Sequence, residues 1–522
     1  MRRWVTFGIA IATCAGGAAL LVLLDGAGAT LGGWFGYAVV LAVGASILWG
    51  GYHWIAQEPG SRSALAPAVI AMAIRLVVGL TLLRALPLFG YDEAPQQAGY
   101  VFRDAFHRDR RAWELAQAGQ PLQAFGDASG TDQYGGLLFL SAGLYRILGS
   151  GVHRPMLVAG LGAAVSALGV MATWGFARRA FGGRVASLAA WIMALYPEAV
   201  LLGASQMREP YLITALAAGL YAYGIWRSER GRWRQGLPFI LLLAGCIPIS
   251  PPFVFALLLA LGGGRIWEGH LRTRQSRGVL AVLVVLAVVA ALIAVQAWMG
   301  IGPLEGTPLE VLRGWWQNVG GDWRLNLVSS QSHWMDNLLS ALPNFAKLPF
   351  LVVFGLLQPF LPASLLDPGA PIWRIIAIAR SLGWFAMLPL LIYAPVLAMR
   401  KAGWRSLAAY LALLTWAVSL VASYRAPGYQ WDNPRYRTAY LAVAAVAAAW
   451  TWVIAGGWAN RWVRRLYAIT GLSALVVSHW YLGRHYGTPK LSLPATLVLT
   501  LVLIAGYLAA MIWRDRVRAP SV

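Results

Sequence analysis

Apolar runs, each close to the length of a membrane crossing and separated by short polar stretches, recur along nearly the whole chain. A helix needs about 20 residues to cross ~30 Å of hydrocarbon. On that measure the pattern predicts helices at 4–24, 31–55, 64–89, 155–177, 184–204, 210–227, 279–300, 374–399, 406–423, 438–457, 466–482 and 493–513. Two further apolar stretches are interrupted. The first, 236–264, contains Pro248, Pro251 and Pro252 and reads as a helical hairpin or a kinked pair. The second, 348–363, is short, runs into Gln358-Pro359, and reads as re-entrant. The expected fold class is all-α: a polytopic transmembrane helical bundle of about 12–14 spans, with short interfacial helices in its external loops.

Composition supports the pattern. Charged residues make up 12% of the 522 positions and hydrophobic ones 59%, whereas soluble domains carry roughly 25% charged residues. The formal charge of +22 does not indicate nucleic acid, because the arginines sit in short loops between apolar runs and not on one basic domain. Cys14 and Cys246 both fall in apolar runs, which argues against a disulfide framework or a cysteine metal site. Met1-Arg2-Arg3 precedes an apolar run with no small-residue cleavage site, so it reads as the start of a first transmembrane helix.

Arginine bias then sets an expected orientation, since basic loops stay in the cytoplasm. Arg178, Arg179 and Arg184, the clusters 227–234 and 265–277, Arg400-Lys401, 461–465 and 514–518 all fall inside when the N-terminus is inside. Segments 91–133, 205–209 and 424–437 then share the outer face, joined by the loop 301–346. Segment 91–133 lacks a basic excess: Asp92, Glu93, Asp104, Asp109, Glu114, Asp127 and Asp132 stand against Arg103, Arg108, Arg110 and Arg111. Titratable residues deep in spans are scarce, with Arg75 the clearest.

The outer segments hold the candidate chemistry. Asp92 and Glu93 follow directly on an apolar run, where one carboxylate can act as a general base and the bland reading is a helix N-cap. Arg208-Glu209-Pro210 places an acid at a helix start, which the helix dipole alone would favour, beside an external cation. Arg425, Arg435 and Arg437 are suited to phosphate oxygens, against a reading as head-group snorkelling. Arg435 is expected to begin a long helix, where a cation is disfavoured, which calls for a bound anion or a carboxylate partner. Trp315, Trp316, Trp323 and Trp334 cluster in loop 301–346, where interfacial belts explain most tryptophans and a few would stack on sugar rings. Of these, Trp315, Trp316 and the lone His333 are carried as weak acceptor or sugar contacts. No Gly-rich phosphate loop, nucleophile elbow or His/Cys metal spacing occurs.

The order of these motifs resembles the integral-membrane GT-C glycosyltransferases, a superfamily that includes protein O-mannosyltransferases, aminoarabinose transferases and oligosaccharyltransferases. The resemblance spans about residues 64–457. Tyr91-Asp92-Glu93 resembles the acidic motif after the family's first core helix. Gly135-Gly136-Leu137-Leu138 through Tyr145-Arg146-Ile147-Leu148-Gly149 is similar to its amphipathic segment, without the usual tandem prolines before it. Arg178-Arg179-Ala180-Phe181-Gly182 matches a recurrent cytoplasmic turn. Gln206-Met207-Arg208-Glu209-Pro210 resembles the second external loop, and Asn433-Pro434-Arg435-Tyr436-Arg437 a late Arg-Tyr motif of bacterial members. Two helices before residue 60 are extra to the usual core, and the lack of a sizeable soluble domain after the last predicted helix sets the chain apart from oligosaccharyltransferases. The expected organisation is extra N-terminal helices in 1–60, a catalytic core in 61–457 and C-terminal helices in 458–522.

The resemblance implies an inverting transfer of sugar from a polyprenyl-phosphate-linked donor to a glycan, lipid or protein acceptor, at the outer face of a bacterial plasma membrane. In that scheme Asp92 is the base, with Glu93 its alternate. Arg435, Arg437 and Arg425, helped by Arg208, hold the leaving phosphate. Glu209 orients the acceptor or Arg208, or shares a divalent metal with Asp92 as in some relatives. Membrane lipids are the remaining partner, and no other cofactor is implied. Two alternatives stay open: a polysaccharide polymerase or ligase using a diphosphate-linked donor, in which His333 would matter, and a lipid-linked glycan transporter, which should show internal repeats and broken helices.

Overall fold

A computed structural model describes residues 2–126, 132–228, 233–269, 338–340, 342–426 and 432–518. Among them the chain is a polytopic helical bundle with no strand. Among the described residues, seven helices are long and apolar enough to cross a membrane, and a bent pair makes an eighth if it is one span. The predicted span 279–300, most of loop 301–346, Trp315, Trp316, Trp323, Trp334 and His333 lie outside the described residues.

Several of the apolar stretches form helices shorter than a crossing requires. Leu237–Cys246 has 10 residues and Pro251–Trp267 has 17, because the intervening prolines remove the donors that would continue one helix into the next. The re-entrant candidate becomes Asn344–Leu357, a cis Gln358-Pro359 bond and the short helix Leu361–Leu366. Predicted helix 438–457 begins later, at Leu441, and is preceded by a separate short helix, Asp432–Thr438.

The helix Met156–Phe181 is the centre of the bundle, packed by Leu31–Ile55, Leu65–Phe89, Gly183–Leu195 and Glu209–Ser228. Small residues allow this, since without a hydrophobic drive between helices in lipid, close backbone approach supplies the attraction. At Gly169 a Cβ would lie 2.7 Å from Thr214 Oγ1, and at Gly175 it would lie 2.9 Å from the Tyr221 ring.

Predicted helix 184–204 is bent by 54° between Gly183–Leu195 and Pro197–Gly203. Pro197 has no N–H to offer the preceding turn. Arg75, 3% exposed, donates instead to the carbonyls of Ala194 at 3.1 Å and Met193 at 3.3 Å. Its burial inside a span thus follows from the break. Glu198 opens the second half-helix and pairs with Arg380 of Pro371–Lys401 at 2.5 Å.

Buried ion pairs help to tie the N-terminal helices to this core, among them one made by Arg154. Arg154 is fully buried, bonded to Asp25 Oδ2, to the Gly28 carbonyl at 2.6 Å and to Thr30 Oγ1 at 3.1 Å. Tyr37 donates to the same Asp25 oxygen at 2.8 Å. At the other terminus, Arg461–Tyr486 and Leu493–Arg518 pair through Arg465 and Asp515 at 2.5 Å.

Candidate active site

Segments that follow the spanning helices meet at one end of the bundle around a cavity of about 790 Å³. That size lies within the ~300–1,000 Å³ of small-molecule sites. Its walls come from 91–104, Arg208, 359–380, Arg425 and Arg435-Tyr436.

The first wall begins where Leu65–Phe89 ends at Gly90. A Cβ on Gly90 would lie 2.5 Å from the Leu86 carbonyl and 2.7 Å from Gln96 Oε1, so only glycine permits the turn. Gln96 Oε1 accepts from Tyr91 N at 2.6 Å and from the Trp373 indole at 2.7 Å, and the Ala370 amide donates to Tyr91 Oη at 3.1 Å. These bonds fasten the 367–373 connection against the 91–96 turn. Asp92 and Glu93 are both exposed, but Glu93 lines the cavity and Asp92 does not.

The second wall is built on charge. Helix Arg103–Gln117 buries one stripe, Ala105, Arg108, Asp109, Ala112, Leu115 and Ala116, and carries Asp104 in its first turn. Arg108 on that stripe donates to the Gln206 carbonyl at 3.1 Å and lies 4.0 Å from Asp132. Glu209 starts Glu209–Ser228, where the dipole favours an acid. Arg435 joins the two segments: its Nε donates to Glu209 Oε1 at 2.5 Å and its Nη1 to Asp104 Oδ2 at 2.9 Å. Burial opposes the Asp104 carboxylate, but Arg435, then Arg108 and Arg208, outweigh it and hold its pKa below the usual range.

Arg435 therefore has the carboxylate partners its position demanded, though it sits in the last turn of Asp432–Thr438 and not at the start of a long helix. Arg437 leaves the same helix elsewhere. It donates to the carbonyls of Gln358 and Leu356 and lies 3.5 Å from the centroid of Trp384, away from the cavity lining. Those carbonyls end Asn344–Leu357, where a cation suits the dipole.

Of the lining arginines, Arg380 is engaged by Glu198 and Arg374 by the Leu365 carbonyl. Arg103, Arg208 and Arg425 make no hydrogen bond or ion pair among the described residues, and Arg425 lies over the Tyr436 ring at 4.9 Å. The cavity lining thus includes three guanidiniums with no hydrogen-bond or ion-pair partner among the described residues, together with the carboxylates of Glu93 and Asp367. Asp92 and Glu209 do not fit a shared divalent metal: Asp92 is exposed, while Glu209 is 3% exposed with Oε1 taken by Arg435.

The structure brings Glu93, Arg208, Arg425 and Arg435 to the cavity, with Glu209 directly behind Arg435. Asp104, Arg103, Asp367 and Trp373 join them without having been singled out by the sequence. One signal was present: Arg108 and Asp109 fall on the apolar stripe of their helix, and a charge there must find a buried partner.

No family model matches the chain, and no curated protein does. Among solved structures, the Archaeoglobus fulgidus oligosaccharyltransferase in its apo form is 15% identical, with a TM-score of 0.38, over 84% of this chain and 54% of that one. Its complex with zinc and sulfate is 14% identical over 80% and 52%, with a TM-score of 0.40. The archaeal enzyme AglB from the same organism, bound to an inhibitory peptide and a dolichol-phosphate, is 16% identical over 84% and 54%, with a TM-score of 0.33. The chain spans about half the length of the solved structures it matches.

Proposed function

We propose that the chain is a multi-pass membrane glycosyltransferase of GT-C type. It moves a sugar from a polyprenyl-phosphate-linked donor to an acceptor hydroxyl at the outer face of a bacterial plasma membrane. The observation that carries this reading is the pairing of opposite chemistries in one cavity: uncommitted Arg208, Arg425 and Arg103 against Glu93. Guanidiniums suit a phosphate, and a carboxylate with no cationic partner suits proton removal.

In this mechanism Glu93 takes the proton of the acceptor hydroxyl as its oxygen attacks the anomeric carbon. The bond from that carbon to the phosphate oxygen breaks, and the electron pair leaves with polyprenyl phosphate. Arg208 and Arg425 hold the charge that develops on the phosphate, an effect worth about 3 kcal/mol per preorganised donor in acyl-transfer sites. Glu93 is preferred to Asp92 as the base because it lines the cavity and Asp92 does not. Arg435 acts through position, holding Asp104 and Glu209 while its own charge is balanced by both.

The test is sugar release or transfer from radiolabelled polyprenyl-phosphate sugars by membranes carrying wild type, Glu93→Gln, Asp92→Asn or Arg208→Gln. Turnover by wild type that is lost in Glu93→Gln and Arg208→Gln supports the reading. Full turnover by Glu93→Gln removes it as the base, and loss in Asp92→Asn alone returns that role to Asp92. Absence of turnover by wild type with several sugars and a native membrane extract refutes the donor class.

A further inference from the structure

The mechanism above leaves the exposed face of helix Arg103–Gln117 without a role. Resting on the glycosyltransferase reading, we propose that this face is a docking stripe for an anionic glycan acceptor, formed by Arg110 and His107 and ending at Arg103 in the cavity wall.

Segment 91–133 carries more acids than arginines, yet folding sorts the two. All three acids of the helix are committed. Asp109, 1% exposed, accepts from Tyr100 Oη at 2.5 Å and from Tyr145 Oη at 2.6 Å. Asp104 pairs with Arg435, and Glu114 with Arg111 at 3.0 Å. Of the cations, Arg108 is buried and donates to the Gln206 carbonyl. Arg103, His107 and Arg110 are exposed and make no hydrogen bond or ion pair among the described residues. Their spacing of four and then three residues puts them within about 60° of one another around the helix and about 10 Å along it. Arg103 lines the cavity, and His107 and Arg110 continue the stripe beyond the lining.

The stripe is supported from beneath. Phe106 is buried against Tyr100 with ring centroids 5.5 Å apart. The Arg110 guanidinium lies over that ring at 5.4 Å, and the His107 imidazole stands edge-on to it at 5.2 Å. Side chains already held against a ring lose less freedom when a partner binds. The class of partner follows from what the face lacks. No large hydrophobic residue of this helix is exposed, so a protein partner would find no apolar anchor. The helix is not one of those long and apolar enough to cross a membrane, so its cations are not the head-group anchors of a span. A glycan carrying carboxylates or phosphates needs only charge and hydrogen bonds. Laid on the stripe, it would bring a hydroxyl to the cavity that Glu93 and Arg103 both line.

The experiment titrates full-length protein in zwitterionic lipid nanodiscs with tetragalacturonate, maltotetraose, hexaglutamate and undecaprenyl phosphate. The double variant His107→Gln/Arg110→Gln changes two exposed positions outside the lining. It is expected to weaken tetragalacturonate about fivefold, the loss of two exposed charge contacts, and to leave undecaprenyl phosphate unchanged. Arg208→Gln should weaken undecaprenyl phosphate, and Arg110→Lys, which keeps the charge, should bind tetragalacturonate as wild type does. Salt at ~1 M, where the screening length is about 3 Å, should erase the difference between wild type and the double variant. Neutral maltotetraose should not distinguish the two proteins. Equal affinity of both proteins for tetragalacturonate, or no binding of it by wild type, overturns the stripe. Hexaglutamate bound as tightly as tetragalacturonate overturns the glycan in favour of an acidic protein, and loss of the difference when phosphatidylglycerol is added to the disc overturns it in favour of the lipid surface. Failure of wild type to bind undecaprenyl phosphate instead overturns the glycosyltransferase reading on which the stripe rests.

Discussion

Removing Arg435 should cost more stability than removing Arg103, Arg208 or Arg425 from the cavity wall. Its side chain is 8% exposed and serves two acids at once. In Arg435→Met, Glu209 Oε1 loses its donor while Oε2 already has none, leaving a buried carboxylate with no side-chain partner. Breaking a buried ion pair from one side costs about 3–5 kcal/mol. The Asp104 share is small, because that side chain is 55% exposed and exposed pairs contribute about 0–1 kcal/mol. Glu209→Gln keeps a carbonyl acceptor for Arg435 and should cost only about 1 kcal/mol. The double variant Arg435→Met/Glu209→Met leaves no buried charge unpaired and should recover most of the loss. Thermal unfolding of purified protein in one detergent reads this directly, since 26 tryptophans supply the signal. The expected order of midpoints is Arg435→Met lowest, then the double variant, then Glu209→Gln and Asp104→Asn close to wild type. A double variant no more stable than Arg435→Met, or an Arg435→Met midpoint equal to that of Asp104→Asn, would refute the argument.

The other expectations follow from the same reasoning about partners. Arg208→Gln should lower kcat/KM by about 10²-fold while leaving the unfolding midpoint unchanged, because Arg208 has no hydrogen-bond or ion-pair partner among the described residues; a fall in midpoint would show a structural role. Arg154→Ala should cost about 3–5 kcal/mol by stranding Asp25, and Arg154→Lys should recover only part of it, since one ammonium does not reproduce a fork that meets Asp25, Gly28 and Thr30; full recovery by lysine, measured as the midpoint, would count against this geometry. Acid should act on the two cavity aspartates in opposite senses. Asp104 has its pKa depressed, so its contribution is complete above the unfolded value of ~3.9 and is lost as pH falls through the lower folded value. Asp367 is raised, first by burial against the opposing His485 and Arg484, so its contribution is present below ~3.9 and is lost as pH rises through the folded value. Midpoints measured across this range should therefore fall less steeply in acid for Asp104→Asn and more steeply for Asp367→Asn, and unaltered acid limbs in both would contradict the assignment.

The spans were legible because each is a continuous apolar run with polar ends. The sequence pattern for 31–55 coincides with Leu31–Ile55, and that for 64–89 with Leu65–Phe89 to one residue. The bend at Pro197 was not legible from hydropathy, since both half-helices are apolar. It could have been read from the pairing of one proline with one misplaced charge: Pro197 frees carbonyls in a medium without water, and Arg75 is the donor that meets them. The N-terminal helices likewise read as separate additions, whereas Leu31–Ile55 packs against Met156–Phe181 and Asp25 pairs with Arg154 in the interior.

The site was legible as a place and less so as a set of residues, and the reason is angular. Three outer segments were expected to converge, and Arg435 contacts Asp104 and Glu209 from the other two. Yet Arg435 and Arg437 cannot act alike once 432–438 is helical. Two residues of helix turn through about 200°, so the two guanidiniums leave on opposite sides. One meets the acids beside the cavity and the other caps Asn344–Leu357. Counting arginines near an expected phosphate site therefore overstates its positive field, because each buried cation must first satisfy a buried acid or carbonyl. Within this cavity the commitment of Arg435 to Glu209, and of Arg380 to Glu198, leaves Arg103, Arg208 and Arg425 to attract a ligand. On that reasoning the cation that matters most for an anionic donor is Arg208, which the sequence offered only as a helper, and the most deeply paired cation, Arg435, matters for holding the walls in place.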